Sequence, residues 1–428
     1  MRAAFATPGF KRLYLGLTAS MFGDSLMLIV LSMWVKTLTG SNGAAGLTFL
    51  WLTLPALVGP LLGTVVDRVH RRPFLVVANV LSAAAMLPLL LVHDASDVWI
   101  IYCVSFVYGV SFVVVPAALN GLLKDMLPEQ VLVEANASMS VTREALRLVG
   151  PLAGASLFAW VGGGAVALVD AASFLMAGAM VLALSVVEAP HPHERSHWRA
   201  EIVAGARHIR RTPLLVHPTI ALGLCLLVLG FSESAVYAVV DAFGKPVEFV
   251  GPILTIQGVG AITSGLLASR VIRAIGEART IILGLGVLAL GLAGVAAAVA
   301  VWQLLVATAV LGAGIPLLLV AYTTLVQKKT PGHLMGRVST TTEVLTTTPQ
   351  ALSIATGALL VTLVDYRLIF AAMVAGTLVG AGYLATALRG HLDEEAATPG
   401  EEAHLIPGML LPEALIEPLA PAPVQPAT

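Results

Sequence analysis

Charged residues are scarce in this sequence, and their scarcity excludes a soluble globular protein. Of the 428 residues, 11% are Asp, Glu, Lys or Arg, whereas 57% are hydrophobic. A soluble domain keeps its surface hydrated with about 25% charged residues. Most of the surface must therefore face lipid. The formal net charge of −1 gives no reason to expect a nucleic acid as a partner.

Cysteine is almost absent, and so are the motifs that carry chemistry. Cys103 and Cys225 both fall in apolar stretches, where they are typical small hydrophobic residues and indicate neither a disulfide nor a metal site. The sequence has no phosphate-binding loop of the Walker type, no zinc-ligand spacing and no nucleophile constellation. We therefore expect neither an enzyme nor an ATP-driven pump, and no cofactor or metal.

Long apolar runs are what the sequence has in abundance. About 20 residues of helix cross the ~30 Å of bilayer hydrocarbon at 1.5 Å per residue. Runs of this length lie near residues 13–36, 45–66, 73–93, 97–121, 137–160, 164–187, 214–239, 249–270, 279–299, 301–326, 339–362 and 366–388. The sequence therefore predicts an all-α membrane protein with twelve transmembrane helices.

The basic residues predict how the chain is oriented. Lys and Arg concentrate in alternate loops, and only Lys36, Lys245 and Arg367 fall in loops on the opposite side. Since basic loops stay in the cytoplasm, both termini are expected there. The expected location is the cytoplasmic (inner) membrane of a bacterium.

Polar breaks divide the chain into four expected regions. Residues 1–187 and 214–389 each carry six of the apolar runs and are expected to form two six-helix bundles. Residues 188–213 place Trp198, Ile202, Ala206 and Ile209 at helical spacing, which predicts an amphipathic linker on the inner leaflet. Residues 390–428 are acidic, rich in proline and free of Lys and Arg, which predicts a disordered cytoplasmic tail.

The two halves align with each other. Residues 122–157 match residues 325–360 without a gap, so that Pro128, Gly154 and Ala155 fall on Pro331, Gly357 and Ala358. A shorter match sets the Phe-Gly-Asp-Ser that begins at Phe22 against the Phe-Ser-Glu-Ser that begins at Phe231. These matches predict a duplicated six-helix unit, and parallel repeats of this kind bind substrate between the halves near mid-bilayer.

The loop after the second apolar run carries a family resemblance. Residues 63–73 read Gly-Thr-Val-Val-Asp-Arg-Val-His-Arg-Arg-Pro, which resembles the loop signature of the major facilitator superfamily. The resemblance implies that fold in two pseudo-symmetric bundles and a conformational gate made of Gly63, Asp67, Arg68, Arg71 and Arg72. Gly63 is expected to permit close helix packing. Asp67 and Arg71 are expected to pair across the interface between the halves.

Three further motifs narrow the resemblance. Gly150, Pro151 and Gly154 are similar to the helix-5 motif of drug/proton antiporters, which bends that helix and seals the path against leak. The Phe-Gly-Asp-Ser that ends at Ser25 and the Asp-Ala-Ala-Ser-Phe of residues 170–174 look like the macrolide-efflux and enterobactin-exporter branch. The resemblance implies alternating-access export of an amphipathic drug, antibiotic or siderophore, driven by the proton gradient.

Ionisable residues inside apolar helices cost several kcal/mol and need a partner or a function. Asp24, Glu233 and Arg147 are the candidates for proton coupling, and a fixed ion pair between Asp24 and Arg147 is the alternative. Asp170 and Glu343 are expected to be structural. Candidates for lining a cavity are Met27, Trp34, Tyr237, Tyr322, Thr346 and Glu343.

Two other functions remain open from the sequence. A lipid or lysolipid flippase would keep the fold and change the substrate. A membrane sensor or scaffold that transports nothing would use the acidic tail for docking. In the transporter interpretation the partners are a small-molecule substrate, protons and membrane lipids, and the protein is expected to act as a monomer.

Overall fold

The computed structural model describes residues 5, 7, 9–66, 69–184, 198–331 and 334–389, and within these ranges the chain contains helices and no strand. The helices are α1 Phe10–Thr39, α2 Asn42–Thr53, α3 Gly59–Val66, α4 Arg71–Met86, α5 Val98–Met126, α6 Glu129–Leu182, α7 Trp198–Arg211, α8 Pro213–Ala242, α9 Val250–Ile275, α10 Glu277–Ala297, α11 Val301–Lys329, α12 Met335–Leu360 and α13 Tyr366–Ala387.

These helices supply twelve membrane crossings. In the described part of the chain, nine helical segments are long and apolar enough to cross a membrane. One of them, Glu134–Leu182, has 49 residues, which is long enough for two crossings, and a non-helical Gly162 at φ 79° divides it. The helices α2 and α3 form one broken crossing. The one crossing not yet counted is α12, whose 26 residues suffice in length although a run of threonines makes it less apolar. The twelve-helix expectation is confirmed.

Proline explains two of the local changes of helix type. Short 3-10 turns at Leu54–Val58 and Leu87–Leu91 each begin with a residue followed by proline, Pro55 in the first and Pro88 in the second. Proline lacks the N–H that an α-helix needs and its ring collides with the preceding turn. The first of these turns joins α2 to α3, and the second extends α4.

The duplication is visible in the packing. Within the first half α1 packs along α6, α4 along α6 and α2 along α5; in the second half α8 packs along α12, α10 along α13 and α9 along α11. Glycines at matching positions permit the closest approaches. A Cβ added at Gly154 would overlap the backbone of Leu26 in α1, and one added at Gly357 would press on Phe231 in α8.

The same contacts correct one part of the repeat alignment. Gly357 and Gly154 are equivalent, so Phe231 is equivalent to Leu26 and not to Phe22. Asp24 and Glu233 are therefore not equivalent residues, because the pairing of α1 with α8 that these contacts indicate differs by about one helical turn from the pairing in the four-residue match. They lie in different surroundings, as described below.

The helix α7 lies between the two bundles in the chain and packs on α12. A Cβ added at Gly205 would meet the Arg337 carbonyl, and the Thr341 hydroxyl donates to the Ile202 carbonyl at 3.0 Å. Ile209 is buried. Residues 185–197 and 390–428 lie outside the described residues, so the limits of the linker and the nature of the tail stay predictions.

Candidate functional site

A cavity of about 930 Å³ opens between the two halves. Helices α1 and α6 of the first half and α8, α9 and α11 of the second half contribute its main walls. The cavity extends toward the end of the bundle where α6 begins and α9 ends. Val141 and Leu266 line it there, with 60% and 75% of their surfaces exposed. The mouth of the cavity is therefore at that end.

The cavity wall has a polar side and an aliphatic side. Its charged residues are Glu144 and Arg147 on α6 and Glu233 on α8. The opposite wall, from α9 and α11, is mainly aliphatic: Leu254, Ile262, Leu266, Ile315, Leu319 and Val320. Such a wall suits a ligand with one polar and one apolar part.

The charged residues reach the cavity because of helical spacing. Glu144, Arg147 and Pro151 share one face of α6, since residues three, four or seven apart lie above one another on a helix. Arg147 attracts the Glu233 carboxylate electrostatically across the boundary between the halves. The structure thus brings together Glu233 and Arg147, two of the three residues expected to couple protons.

Asp24 lies elsewhere, inside the first half. The Tyr108 hydroxyl on α5 donates to Asp24 Oδ1 at 2.7 Å. Asp170 on α6 interacts with the same hydroxyl and is wholly buried. The Ser173 hydroxyl donates to the Asp170 carbonyl at 2.7 Å and reaches Asp170 Oδ1 at 3.3 Å. Among the described residues Asp24 is hydrogen-bonded to Tyr108 and forms no ion pair with Arg147, so the fixed Asp24–Arg147 pair is wrong for this structure.

The helix-5 motif packs against both halves. A Cβ added at Gly150 would overlap Ser25 of α1, so this glycine and Gly154 bring α6 against α1. On another side of α6 the Pro151 carbonyl lies against Gly251 of α9, in the second half. The motif therefore lies where the two bundles meet. Its expected role in sealing the path stays a prediction.

The end of the bundle opposite the mouth is closed by polar contacts between α1 and α8. Lys36 Nζ donates to Asp241 Oδ2 at 2.6 Å. One turn deeper, the Ser32 and Tyr237 hydroxyls share a hydrogen bond. Both contacts join the first half to the second.

Small residues close the same end in two places that the repeat relates. A Cβ at Gly251 would overlap Ala155, and a Cβ at Gly43 would overlap the Ala358 carbonyl. Ala155 and Ala358 are equivalent in the repeat. Because a side chain at either glycine would hold the helices apart, these contacts bring the two halves together closely.

The loop expected to form the gate is only partly described. Asp67 and Arg68 lie outside the described residues. Arg71 donates to Asp125 Oδ2 at 2.6 Å and to the Gly121 carbonyl at 3.1 Å, both on α5 of its own half. These two contacts of Arg71 are within its own half, because the end of α5 presents a carboxylate beside the first residue of α4. The expected pairing of Arg71 with Asp67 stays a prediction, because Asp67 lies outside the described residues.

The rest of this loop also binds within its own half. Arg72 donates to the Leu182 carbonyl at 2.6 Å, at the carboxyl end of α6, where cations are favoured. Among the described residues, no atom lies within 4 Å of a Cβ added at Gly63, so the expected close packing is not found in this part of the structure. In the second half, Lys328 at the end of α11 pairs with Glu277 at the start of α10.

The residues expected to line the cavity are not found in its wall. Met27, Trp34, Tyr237 and Tyr322 are buried where helices pack together. The Tyr322 hydroxyl, for example, hydrogen bonds with Thr219 at 2.8 Å and Thr342 at 3.1 Å. Thr346 is also buried, and Glu343 is exposed away from the wall.

Sequence reasoning missed Tyr108, Asp125 and the aliphatic wall of the cavity. Glu144 also lines the cavity and was not among the expected lining residues. One signal was present for the carboxyl pair, because Asp24 and Asp170 belong to the two motifs that resemble the macrolide-efflux branch.

Comparison with known proteins identifies the family. The family model described as the Major Facilitator Superfamily matches residues 13–347 and 222–426. The chain belongs to the Major Facilitator Superfamily. It is thus a multi-pass membrane transporter of that family, and the expected fold of two pseudo-symmetric helical bundles is confirmed.

Individual relatives from this superfamily cover most of the chain. The MFS-type transporter YfiS of Bacillus subtilis (strain 168) is 25% identical over 381 residues, which are 85% of this chain and 89% of that protein. The multidrug efflux pump Tap of Mycobacterium tuberculosis (strain ATCC 25618 / H37Rv) is 28% identical over 359 residues, 79% of this chain and 83% of Tap.

A solved structure shows the same fold. The nucleoside transporter NupG superposes with a TM-score of 0.67 at 14% identity, over 88% of this chain and 98% of NupG. At this identity the likeness concerns the fold.

Proposed function

We propose that this superfamily member is a secondary active exporter of amphipathic small molecules, driven by the proton gradient through alternating access. The observation that carries the proposal is the cavity between the halves, with charges on one wall and aliphatic side chains on the other. Its volume of about 930 Å³ is within the roughly 300–1,000 Å³ range of small-molecule sites. The similarity to a multidrug efflux pump supports export.

The direction of opening fits a cytoplasmic loading state. The cavity mouth lies at the end of the bundle that carries most of the basic residues, which the positive-inside rule assigns to the cytoplasm. The contacts that close the other end are an ion pair, a hydroxyl pair and small-residue contacts. None of these is covalent, so rocking of the halves separates them. Lipid, protons and substrate are the partners, and no cofactor is required.

Efflux from a host that lacks its own pumps tests the proposal. Cells expressing the protein are loaded with amphipathic dyes and antibiotics, and extrusion is followed with and without a protonophore. We expect extrusion above the empty-vector rate that the protonophore abolishes. Extrusion equal to the empty vector for the whole panel contradicts export, and extrusion that persists with the protonophore contradicts proton coupling.

Substitution of Glu233 tests, in the same assay, whether the cavity wall binds the substrate. A charge-assisted contact contributes about 1.5–3 kcal/mol, so Glu233→Gln is expected to weaken the apparent affinity for a charged substrate by about tenfold or more. Glu343→Gln is the matched control, because this glutamate is exposed on α12 outside the cavity wall. Equal effects of the two substitutions argue against a substrate site at Glu233.

The gate loop remains part of the proposal. Asp67→Asn is expected to abolish export while membrane insertion and expression stay normal, because the resemblance of residues 63–73 to the superfamily's loop signature assigns Asp67 to the gate. Export at the wild-type rate by this variant would exclude Asp67 from the gate.

One observation favours lipid transport as a second candidate. The aliphatic cavity wall includes Leu266 and Val320, whose side chains are 75% and 38% exposed, and an acyl chain would fit against them. Reconstitution without drug tests this candidate by following a fluorescent lysolipid across the bilayer. Translocation no faster than in protein-free vesicles excludes it.

A further inference from the structure

Two motifs that are far apart in the sequence meet inside the first half. Gly23 and Asp24 come from α1, and Asp170 and Ser173 come from the part of α6 that follows the Gly162 break. A Cβ added at Gly23 would overlap Ser173 Oγ and Asp170 Oδ1. Only a glycine at this position therefore lets α1 come this close to the Asp170 carboxyl group.

Tyr108 joins the two carboxyl groups. Its hydroxyl donates to Asp24 Oδ1 at 2.7 Å and interacts with Asp170. The ring is 1% exposed and is held edge-on against Phe174, with 6.1 Å between the centroids. Both carboxyl groups are thus tied to one fixed hydroxyl.

This cluster lacks a positive charge that would stabilise two carboxylates. Asp24, Tyr108 and Asp170 interact with one another electrostatically and through hydrogen bonds. No Lys, Arg or His of the described chain has a comparable interaction with any of the three. Asp170 is 0% exposed, and its Oδ2 atom has no hydrogen-bond partner. Two carboxylates that share a buried site repel each other and lose hydration, whereas a proton bound by the pair removes both costs.

We propose that Asp24, Tyr108 and Asp170 form one proton-binding site that holds a single proton shared by the two carboxyl groups. When the proton moves from Asp170 to Asp24, Asp170 gives its proton to the Tyr108 oxygen while Tyr108 gives its own to Asp24. One O–H bond breaks and one forms at each step of the relay, and the neutral tyrosine is regenerated.

Asp24 is the residue through which this site exchanges its proton with water. It is partly exposed and its neighbour Ser25 lines the cavity, whereas Asp170 is fully enclosed. The proton therefore exchanges with cavity water through Asp24. Glu233 and Arg147 lie in the cavity wall, apart from this cluster, so substrate and proton occupy different places. This assignment rests on the proposed function for its role in transport, and the presence of the bound proton is independent of transport.

Infrared spectroscopy of the purified protein in lipid nanodiscs tests the bound proton directly. Wild-type protein at neutral pH is expected to show the C=O stretch of a protonated carboxyl group that both Asp24→Asn and Asp170→Asn diminish. Asp94→Asn is the control, because Asp94 is exposed in the loop between α4 and α5. If neither substitution in the pair changes the band relative to this control, the shared proton is excluded.

Tyr108→Phe tests the relay, since it keeps the ring and removes the hydroxyl. It is expected to retain the protonated-carboxyl band and to slow proton release after a pH jump by at least tenfold. Release at the wild-type rate overturns the relay. If the protein shows the protonated-carboxyl band but exports nothing, the proposed function is refuted and the proton site stands. If the protein exports substrate but lacks the band, the proton site is refuted and the proposed function stands.

Discussion

The Lys36–Asp241 ion pair is expected to hold the two halves together at the closed end. The two side chains are 11% and 46% exposed, so solvent screens the pair substantially. An exposed ion pair contributes about 0.2–1 kcal/mol, and the enclosed Lys36 places this one in the upper part of that range. Since 1.4 kcal/mol is tenfold in a ratio, Asp241→Asn is expected to raise the ratio of separated to closed ends by about two- to fivefold.

Distance measurements between spin labels test this prediction. Labels at Ala95 and Val299 report the separation, because both residues lie in loops at the closed end, one in each half, and both are exposed. Cys103 and Cys225 are first replaced so that only the new cysteines react. The distance distribution in lipid is then compared between the wild type and Asp241→Asn.

Exchange of the charges is the control. The double variant Lys36→Asp, Asp241→Lys restores an attractive pair and is expected to return the distribution toward that of the wild type. If Asp241→Asn leaves the distribution unchanged, the ion pair does not bias the equilibrium. If the exchanged pair separates the ends further than the single variant, the attraction between these side chains is not what closes them.

Two smaller effects are expected from neighbouring contacts. Tyr237→Phe removes the hydroxyl that is bonded to Ser32. It is expected to shift the equilibrium between closed and separated ends toward separation by about 0.5–1.5 kcal/mol, measured with the same labels. Gly284→Ala is expected to lower the thermal unfolding midpoint, because its Cβ would lie 2.7 Å from the Leu318 nitrogen, an overpacking that costs about 1–3 kcal/mol. Gly286→Ala is the control, because a Cβ at this position two residues away would meet open space, and it is expected to leave the unfolding midpoint unchanged or raise it. An equal fall of the midpoint in both variants would contradict the packing argument.

Helix number and the repeat were accessible from the sequence, because a crossing needs about 20 apolar residues whatever its neighbours are. The register between the halves was less accessible. A four-residue match placed Asp24 opposite Glu233, whereas the contacts of Gly154 and Gly357 shift the pairing by a turn. Such a shift changes which side chain faces a cavity.

The cavity wall was harder to predict for a related reason. In lipid the outer face of a helix is as apolar as its packed face, so hydropathy does not reveal how the helix is rotated. Trp34 and Tyr237 were natural candidates for holding a greasy ligand, yet both are buried between helices, and aliphatic residues such as Ile262 form the wall. Charge was more informative, since Arg147 and Glu233 do reach the cavity.

The ion pairs Arg71–Asp125 and Lys328–Glu277 have opposite polarity in the two halves. In the first half the cation begins the third crossing and the anion ends the fourth, whereas in the second half these signs are reversed. A hybrid bundle that borrowed a helix from the other half would set Arg71 against Lys328, or Asp125 against Glu277. Like charges repel, so each ion pair favours packing of its helices within their own half over packing against the corresponding helix of the other half.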